Sequence, residues 1–250
     1  MQQYFVKGDA IHPIIIEDKD TLKHMFQVMR LSQGAEVILV FDDGVKRLAR
    51  LLDEVQHSFE LVEELEESVE LPISVTIAMG FPKGDKLEFV AQKGTELGMT
   101  ALWGFPADWS VVKWDAKKLA KKVEKLDKIT LGAAEQSKRN RVPEVTLFEK
   151  KSDFLEQLSS FDAVLLAYEE AAKAGESAQL VQVLQRLQAG ARLLVIVGPE
   201  GGISPDEVQD FEERGAVRAG FGPRIMRTET APLYALSAVS FYMELLGKKS

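Results

Sequence analysis

The sequence predicts a two-part α/β protein: a small, mostly β domain followed by a larger one with a mostly parallel sheet flanked by helices. Three observations carry this. Up to about residue 70, short runs rich in β-branched and aromatic residues recur between turn signals. After Pro72, strand-like and helix-like segments alternate, the pattern of a parallel sheet with helical crossovers. The run LLVIV, residues 193–197, is apolar without interruption, as a strand covered on both faces must be.

In the first domain, expected over 1–71, the strands are QQYFV at the start, EVILVF (36–41), VKRLARLL (45–52) and FELVEEL (59–65). Asp42-Asp43-Gly44 is a hairpin loop. TLKHMFQVMRL (21–31) is the one helical stretch, with Leu22, Met25, Phe26 and Met29 on one face. Several short strands with one helix predict a small β-barrel. In the second domain, expected over 72–250, strands are ISVTIA (73–78), ALWGF (101–105), AVLLAY (163–168), LLVIV and AVRAGF (216–221). Helices are predicted over 85–97, 116–136, a stretch near 176–188, and 205–215. Ser204 is the N-cap of the last of these, with Pro205 at its first position and Asp206 and Glu207 in its first turn. The C-terminal helix, about 230–247, carries two apolar seams, one of Leu236, Val239, Met243 and Leu246, the other of Tyr234, Ala238, Phe241 and Leu245. A helix apolar on two sides is buried on two sides. Either the second side meets a partner subunit or the helix is wholly internal.

At 250 residues, with 46% apolar and 28% charged side chains, the chain is long enough and apolar enough to bury a real core. No run approaches the roughly 18 apolar residues of a membrane span. MQQYFVKGDA lacks the basic and apolar regions of a signal peptide, so no membrane association is expected. Zero cysteines exclude disulfides and a thiolate nucleophile. His12, His24 and His57 show no metal-ligand spacing, so no metal is expected. A cytoplasmic enzyme fits these bounds. The net charge of −8 argues at first against a polyanionic partner, but its distribution does not. Residues 51–71 hold eight acids and no Lys or Arg, whereas 113–141 hold ten bases against four acids. It is the local field that steers a nucleic acid.

The common nucleotide fingerprints fail. GFPKGDK (80–86) has three residues between its glycines and lacks the GK[ST] of a phosphate loop. There is no G-x-G-x-x-G after a strand and no G-x-S-x-G elbow. What remains is a set of three loops after three strands: LAYEE (166–170), GPEGG (198–202) and GFGPRIMRTETA (220–231). Loops at the carboxyl ends of parallel strands are where open α/β sheets bind ligands. Glycine- and proline-rich loops present main-chain N–H and C=O groups, which suit a neutral adenine-containing ligand better than a triphosphate. Arg224, Arg227 and Glu229 fall within six residues of the last loop and suit an anionic or hydrogen-bonding substrate; the alternative is an internal Arg227–Glu229 ion pair.

GPEGGISPDE (198–207), GFGPRIMRTETA and, upstream, AAEQSKRNRVPEV (133–145) together resemble the bacterial family that methylates N3 of a uridine in 16S ribosomal RNA. That family belongs to the SPOUT superfamily of trefoil-knotted, S-adenosylmethionine-dependent methyltransferases. The resemblance runs nearly end to end, including YFV near the start, HMFQVMRL (24–31) and FPKGDKLEFVAQKGTELG (81–98). Two departures stand out: Trp109 lies where the family often has an Arg before SVVK, and Met226 makes RIMR of the usual RILR.

The resemblance implies a knotted SPOUT methyltransferase domain with a parallel sheet, preceded by a PUA-like β-barrel, in a homodimer acting on 16S ribosomal RNA of the small ribosomal subunit. It implies S-adenosylmethionine held by Leu166, Ala167, Tyr168 and Glu169, by Gly198, Pro199, Glu200, Gly201 and Gly202, and by Gly220, Phe221, Gly222, Pro223, Ile225 and Met226. Arg224 and Arg227 would stabilise charge on the uracil, and Glu229 is the nearest acid to receive its proton. Arg30 would dock RNA from the first domain. Lys117, Lys121 and Lys125 follow helical spacing on one face, opposite Leu119, Val123 and Leu126, and Arg139 and Arg141 follow soon after. This stripe is either a solvated face or an RNA contact. Two other readings stay open on the residues alone: a ribose 2′-hydroxyl methyltransferase, and an RNA-binding assembly factor without catalysis.

Overall fold

The computed structural model describes residues 1–168 and 179–246. The chain divides into two compact units, Met1–Glu70 with Ala134–Arg141, and Leu71–Ala133 with Val142–Ser250.

In the first unit, β1 (Gln3–Phe5), β2 (Ile14–Ile15), β3 (Glu36–Val40), β4 (Lys46–Asp53) and β5 (Ser58–Leu65) lie in the order β1-β3-β4-β5-β2. β3, β4 and β5 form an antiparallel meander, β2 pairs antiparallel with β5, and β1 runs parallel to β3. Alternate residues Val37 and Leu39 of β3, and Ala49 and Leu51 of β4, are buried with Tyr4, Met25 and Phe59, as a one-faced sheet requires. Register shifts at Leu48/Ala49 and Leu51/Asp53 are bulges, which bend a strand and raise its twist. The sheet curls but keeps β1 and β2 as edges. The expected barrel is therefore a half-barrel, since edge strands of three and two residues are too short to close it.

Helix α1 (Lys19–Lys23) is capped by Asp18, whose Oδ2 accepts the Thr21 N–H at 2.7 Å, and continues as a π turn over His24–Val28. The Met29 N–H donates to the His24 carbonyl, five residues back. That wider turn takes Met29 off the expected apolar face: Met25 is buried, while Met29 is exposed. The last segment of the unit, Ala134–Arg141, is held by polar groups. Arg139 donates from Nε and Nη2 to both carboxylate oxygens of Glu70, at 2.9 and 2.5 Å. The Asn140 N–H adds a third bond to Glu70 at 2.8 Å, and its side-chain amide donates to the carbonyls of Gly44 and Glu67. Arg139, expected to meet RNA, is only 2% exposed and serves the interior of the unit instead. Its physical reason is Glu70, a part-buried carboxylate with which it pairs.

In the second unit, β6 (Ser74–Gly80), β7 (Ala101–Phe105), β8 (Glu144–Leu147), β9 (Ala163–Ala167), β10 (Arg192–Val197) and β11 (Ala216–Ala219) form a parallel sheet in the order β11-β9-β10-β6-β7-β8. The chain steps outward from β6 to β8, returns to β9, and inserts β10 between β9 and β6. Strand order thus reverses beside β10, where open sheets form their ligand crevice. β10 can sit there because Leu193–Val197 are all buried. The helices are α2 (Lys86–Glu96), α3 (Ala116–Gln136), α4 (Lys151–Gln157), α5 (Gln179–Arg186), α6 (Pro205–Glu212) and α7 (Thr230–Ser240). Sequence reading missed β2, β8 and α4. β8 is a four-residue edge strand with no fully buried residue, and α4 buries only Phe154, so neither prints a periodic pattern.

Of the first seam of helix α7, Leu236 and Val239 are fully buried and Met243 is half-buried, but Leu246, at the end of the π turn that follows, is exposed and does not pack inward as expected. Leu236 packs over Gly94 of α2, where an added Cβ would lie in ordinary contact with Leu236 Cδ1 at 3.5 Å and closer, at 3.0 Å, to the Met99 side chain. The helix continues as a π turn over Phe241–Leu246. Of the second seam, Tyr234, Phe241 and Leu245 are exposed, so the helix is not internal to a single chain.

Replacing Arg139 with Ala strands the Glu70 carboxylate, and we expect a loss of about 3 kcal/mol in denaturant unfolding. Burial pushes the Glu70 carboxyl up, but Arg139 and the N–H groups of Asn140 and Arg141 outweigh it and hold it below its ordinary value. Its contribution is therefore complete above an unfolded-state pKa of roughly 4.3 and is lost as pH falls through the lower folded value. An Arg139→Ala protein whose acid limb matches the wild type removes this assignment.

Candidate active site at the carboxyl ends of three parallel strands

The loops after β9, β10 and β11 enclose one cavity of about 990 Å³. Its central wall is the loop after β10, and missing β-carbons make that wall possible. The Gly202 N–H donates to the Pro199 carbonyl at 2.9 Å, closing a turn in which Gly202 has φ +82°. A Cβ on Gly198 would lie 2.9 Å from the Gly202 carbonyl carbon, and one on Gly201 would lie 3.0 Å from both Cβ and O of Trp109. Beneath, a Cβ on Gly80 would meet Pro199 Cδ at 2.5 Å. The Thr228 hydroxyl, from the last loop, donates to the Gly198 carbonyl.

A second set of bonds fixes the far end of this wall. Ser204 and Glu207 form a reciprocal capping box at the start of α6, each bond 3.2 Å. Glu207 also accepts the Asp108 N–H at 2.9 Å, and the Asp108 carboxylate accepts from Ser204 Oγ at 2.8 Å and Lys151 Nζ at 2.6 Å. The Lys151 ammonium holds the Asp108 carboxyl below the usual range. The loop after β7 is thereby fastened to the loop after β10.

Most of the expected residues line this cavity. Ala167 and Tyr168 do so after β9, Gly198 through Gly202 after β10, and Phe221 through Arg227 after β11. Leu166 does not, because its side chain is fully buried in the sheet layer; Gly220 is likewise buried away from the lining. Glu169 lies outside the described residues. Glu229 is corrected in place and partner. It is the N-cap of α7, absent from the lining, and it pairs with Lys86 Nζ at 3.4 Å, not with Arg227.

Lys86 is the principal residue that sequence reading missed. Its ammonium donates to Glu200 Oε1 at 2.9 Å, an oxygen that also accepts the Lys83 N–H at 3.0 Å. Its hydrogen bond to Glu200 raises the Lys86 pKa, so it stands in the cavity as a cation. For Glu200, burial pushes the carboxyl up, and the bonds from Lys86 and Lys83 bring it below its ordinary value. The sequence shows only that Lys86 opens a helix after a strand; it reaches the cavity because that strand, β6, lies beside β10. Trp109 and Thr228 also line the cavity and were not assigned to it.

Val197, Ala219, Phe221 and Ala231 give a buried apolar floor, the glycine loops give main-chain donors and acceptors, and Arg224 and Arg227 are exposed at the mouth. S-adenosylmethionine fits that set: its adenosine needs an apolar cleft edged by main-chain groups, and its zwitterionic end needs both signs of charge, here Lys86 and Glu200. On α3, Lys117 and Lys121 are exposed, and among the described residues neither pairs with a carboxylate. Lys125, also exposed, is 3.1 Å from Glu88. Leu119 and Leu126 are buried on the opposite face, as the spacing predicts. Arg30 and Arg141 are exposed in the first unit.

Residues 69–240 match the RNA methyltransferase domain, and residues 16–64 match the RNA methyltransferase PUA domain. The chain is 43% identical to ribosomal RNA small subunit methyltransferase E of Bacillus subtilis over 252 residues, covering 98% of each. Among solved structures it is similar to a ribosomal RNA small subunit methyltransferase E from Neisseria gonorrhoeae bound to S-adenosyl methionine (27% identity, TM-score 0.78, 96% and 97% of the two chains). A methyltransferase from Legionella pneumophila, solved with the cofactor SAM, is also similar (26% identity, TM-score 0.80, 95% and 96% of the two chains). Among the described residues, no helix is long and apolar enough to cross a membrane.

Gly80→Ala places a methyl group against Pro199 and Ala107, and must push the cavity wall after β10 out of place. S-adenosylhomocysteine at about 100 times its Kd stabilises a binding protein by about 2.7 kcal/mol. We expect that thermal shift in the wild type and its loss in Gly80→Ala. Gly132→Ala, where an added Cβ meets nothing within 4 Å, should keep it.

Proposed function

The chain belongs to the RNA methyltransferase family that includes the small-subunit type E enzymes, and on that premise we propose that it methylates N3 of a uridine in 16S ribosomal RNA. It is an S-adenosylmethionine-dependent ribosomal RNA methyltransferase. The observation that supports the finer reading is the cavity itself, with main-chain walls for the cofactor and Arg224 and Arg227 together at its mouth. When bound, the cofactor supplies a methyl group made electrophilic by its sulfonium. The protein's part concerns the acceptor. Uridine N3 carries a proton and is flanked by two carbonyl oxygens. Guanidinium donors from Arg224 and Arg227 onto those oxygens disperse the charge left as the proton departs, and fix the ring nitrogen in place. Glu229, tied to Lys86 outside the cavity lining, orients that ammonium, and the proton passes to solvent.

Exposed Lys117, Lys121 and Lys125 supply phosphate contacts from the second unit, and Arg30 and Arg141 from the first. The substrate in this reading is the small ribosomal subunit or its RNA, in the cytoplasm. The exposed seam of Tyr234, Phe241 and Leu245 supports a homodimer joined through α7.

The test is transfer of labelled methyl groups to small subunits that lack the modification, followed by nuclease digestion and mass spectrometry. We expect 3-methyluridine; a ribose methyl, or no transfer, sinks the reading. In single turnover, Arg227→Ala should slow the reaction at least about a hundredfold while cofactor affinity changes little, the sign of a group acting in the transition state. Reversing Lys117, Lys121 and Lys125 to Glu should weaken RNA binding and flatten its salt dependence. An unchanged salt slope would return that stripe to solvent.

A further inference from the structure

We propose that Trp109 is the platform on which the substrate base stacks at the mouth of the cavity. The proposal rests on the methyltransferase reading above and names the residue that receives the base. The three tryptophans divide sharply. Trp103 is ringed by Phe148, Phe154 and Phe161, and Trp114 packs on Phe81 beneath Lys122. Trp109 is 48% exposed, lines the cavity, and among the described residues no ring or cationic group stacks on it.

This indole is also held in place. Its backbone and Cβ lie against Gly201, and its ring carbons Cε3 and Cζ3 lie 3.9 Å from where a Cβ on Gly202 would stand. The preceding residue, Asp108, is fixed through Glu207, Ser204 and Lys151. An exposed aromatic on a braced loop offers a flat surface at little cost in conformational freedom, as a binding platform requires.

Depth separates the two possible occupants. The cofactor walls follow β9, β10 and β11, and their floor is buried, with Val197 at 4%, Ala219 at 0% and Phe221 at 8% exposure. Trp109 enters from the loop after β7, and shares the rim with Ile225 at 73% exposure and with Arg224. Enzymes that modify a base take it out of its stack and hold it against aromatic or apolar groups while hydrogen bonds read its edge. Trp109 supplies the face, and the two arginines of the same rim supply the edge.

The test compares Trp109→Phe, Trp109→Leu and Trp109→Ala by two measurements: the Kd for unmethylated small subunits in the presence of S-adenosylhomocysteine, and the half-saturating subunit concentration in single turnover. We expect Ala and Leu to raise both about tenfold, Phe to restore most of the loss, and the Kd for S-adenosylhomocysteine alone to stay within about twofold. Equal values for Leu and Phe would make the indole mere packing and overturn the proposal. Loss of S-adenosylhomocysteine affinity in step with activity would assign the indole to the cofactor, which also overturns it. Failure of the wider reading is distinguishable: the wild type would then transfer no methyl group, while the subunit Kd still ranks the three variants.

Discussion

The close approach of main chain to main chain at the end of β10 is the constraint on which the site depends. Three glycines, at 80, 198 and 201, remove the β-carbons that would otherwise hold Pro199, Ile203 and the loop after β7 apart, and Gly202 supplies the φ of +82° that the turn needs. The shortest of those contacts are with backbone, a proline ring and β-carbons, which no rotamer change moves. Interior packing of this density is felt at the level of single methyl groups. The cavity is therefore shaped by absent atoms as much as by present ones, and its wall is rigid although it is made of residues usually associated with freedom.

Charge is managed in the same local way. A chain with a net charge of −8 could not serve an RNA surface through its average field. Many of its acids are paired internally: Glu70 with Arg139, Glu88 with Lys122 and Lys125, and Glu200 and Glu229 with Lys86. Lys117 and Lys121, with no carboxylate partner among the described residues, are left to act on their surroundings.

The parallel sheet was legible because β10 and its neighbours must be apolar on both faces, and helix α3 because its apolar and basic faces alternate at helical spacing. The loops were legible through glycine and proline, whose chemistry is specific to tight turns. Edge strand β8 and helix α4 were not, since neither buries a patterned face. The partner of Glu229 was not legible either: Arg227 is near it in sequence, while Lys86 reaches it only because β6 lies beside β10. Arg139 shows the opposite error. Its basic run looks solvent-facing until the fold sets the part-buried Glu70 carboxylate beside it.

Helix α7 joins two regions that chemistry would otherwise keep apart. Its N-cap is Glu229, next to Thr228, whose hydroxyl holds the Gly198 carbonyl, while its other end carries the exposed seam of Phe241 and Leu245. The seam and the N-cap lie on one continuous helical segment, α-helical over Thr230–Ser240 and π-helical over Phe241–Leu246. A restraint on the seam that is transmitted along the helix would limit the freedom of the residues that brace the cavity, and filling the cavity would then limit the seam in turn. By thermodynamic reciprocity the two effects are equal in size. If the seam joins two copies, as proposed above, self-association and cofactor affinity become a single coupled quantity, and cofactor affinity measured at one protein concentration is a point on a curve.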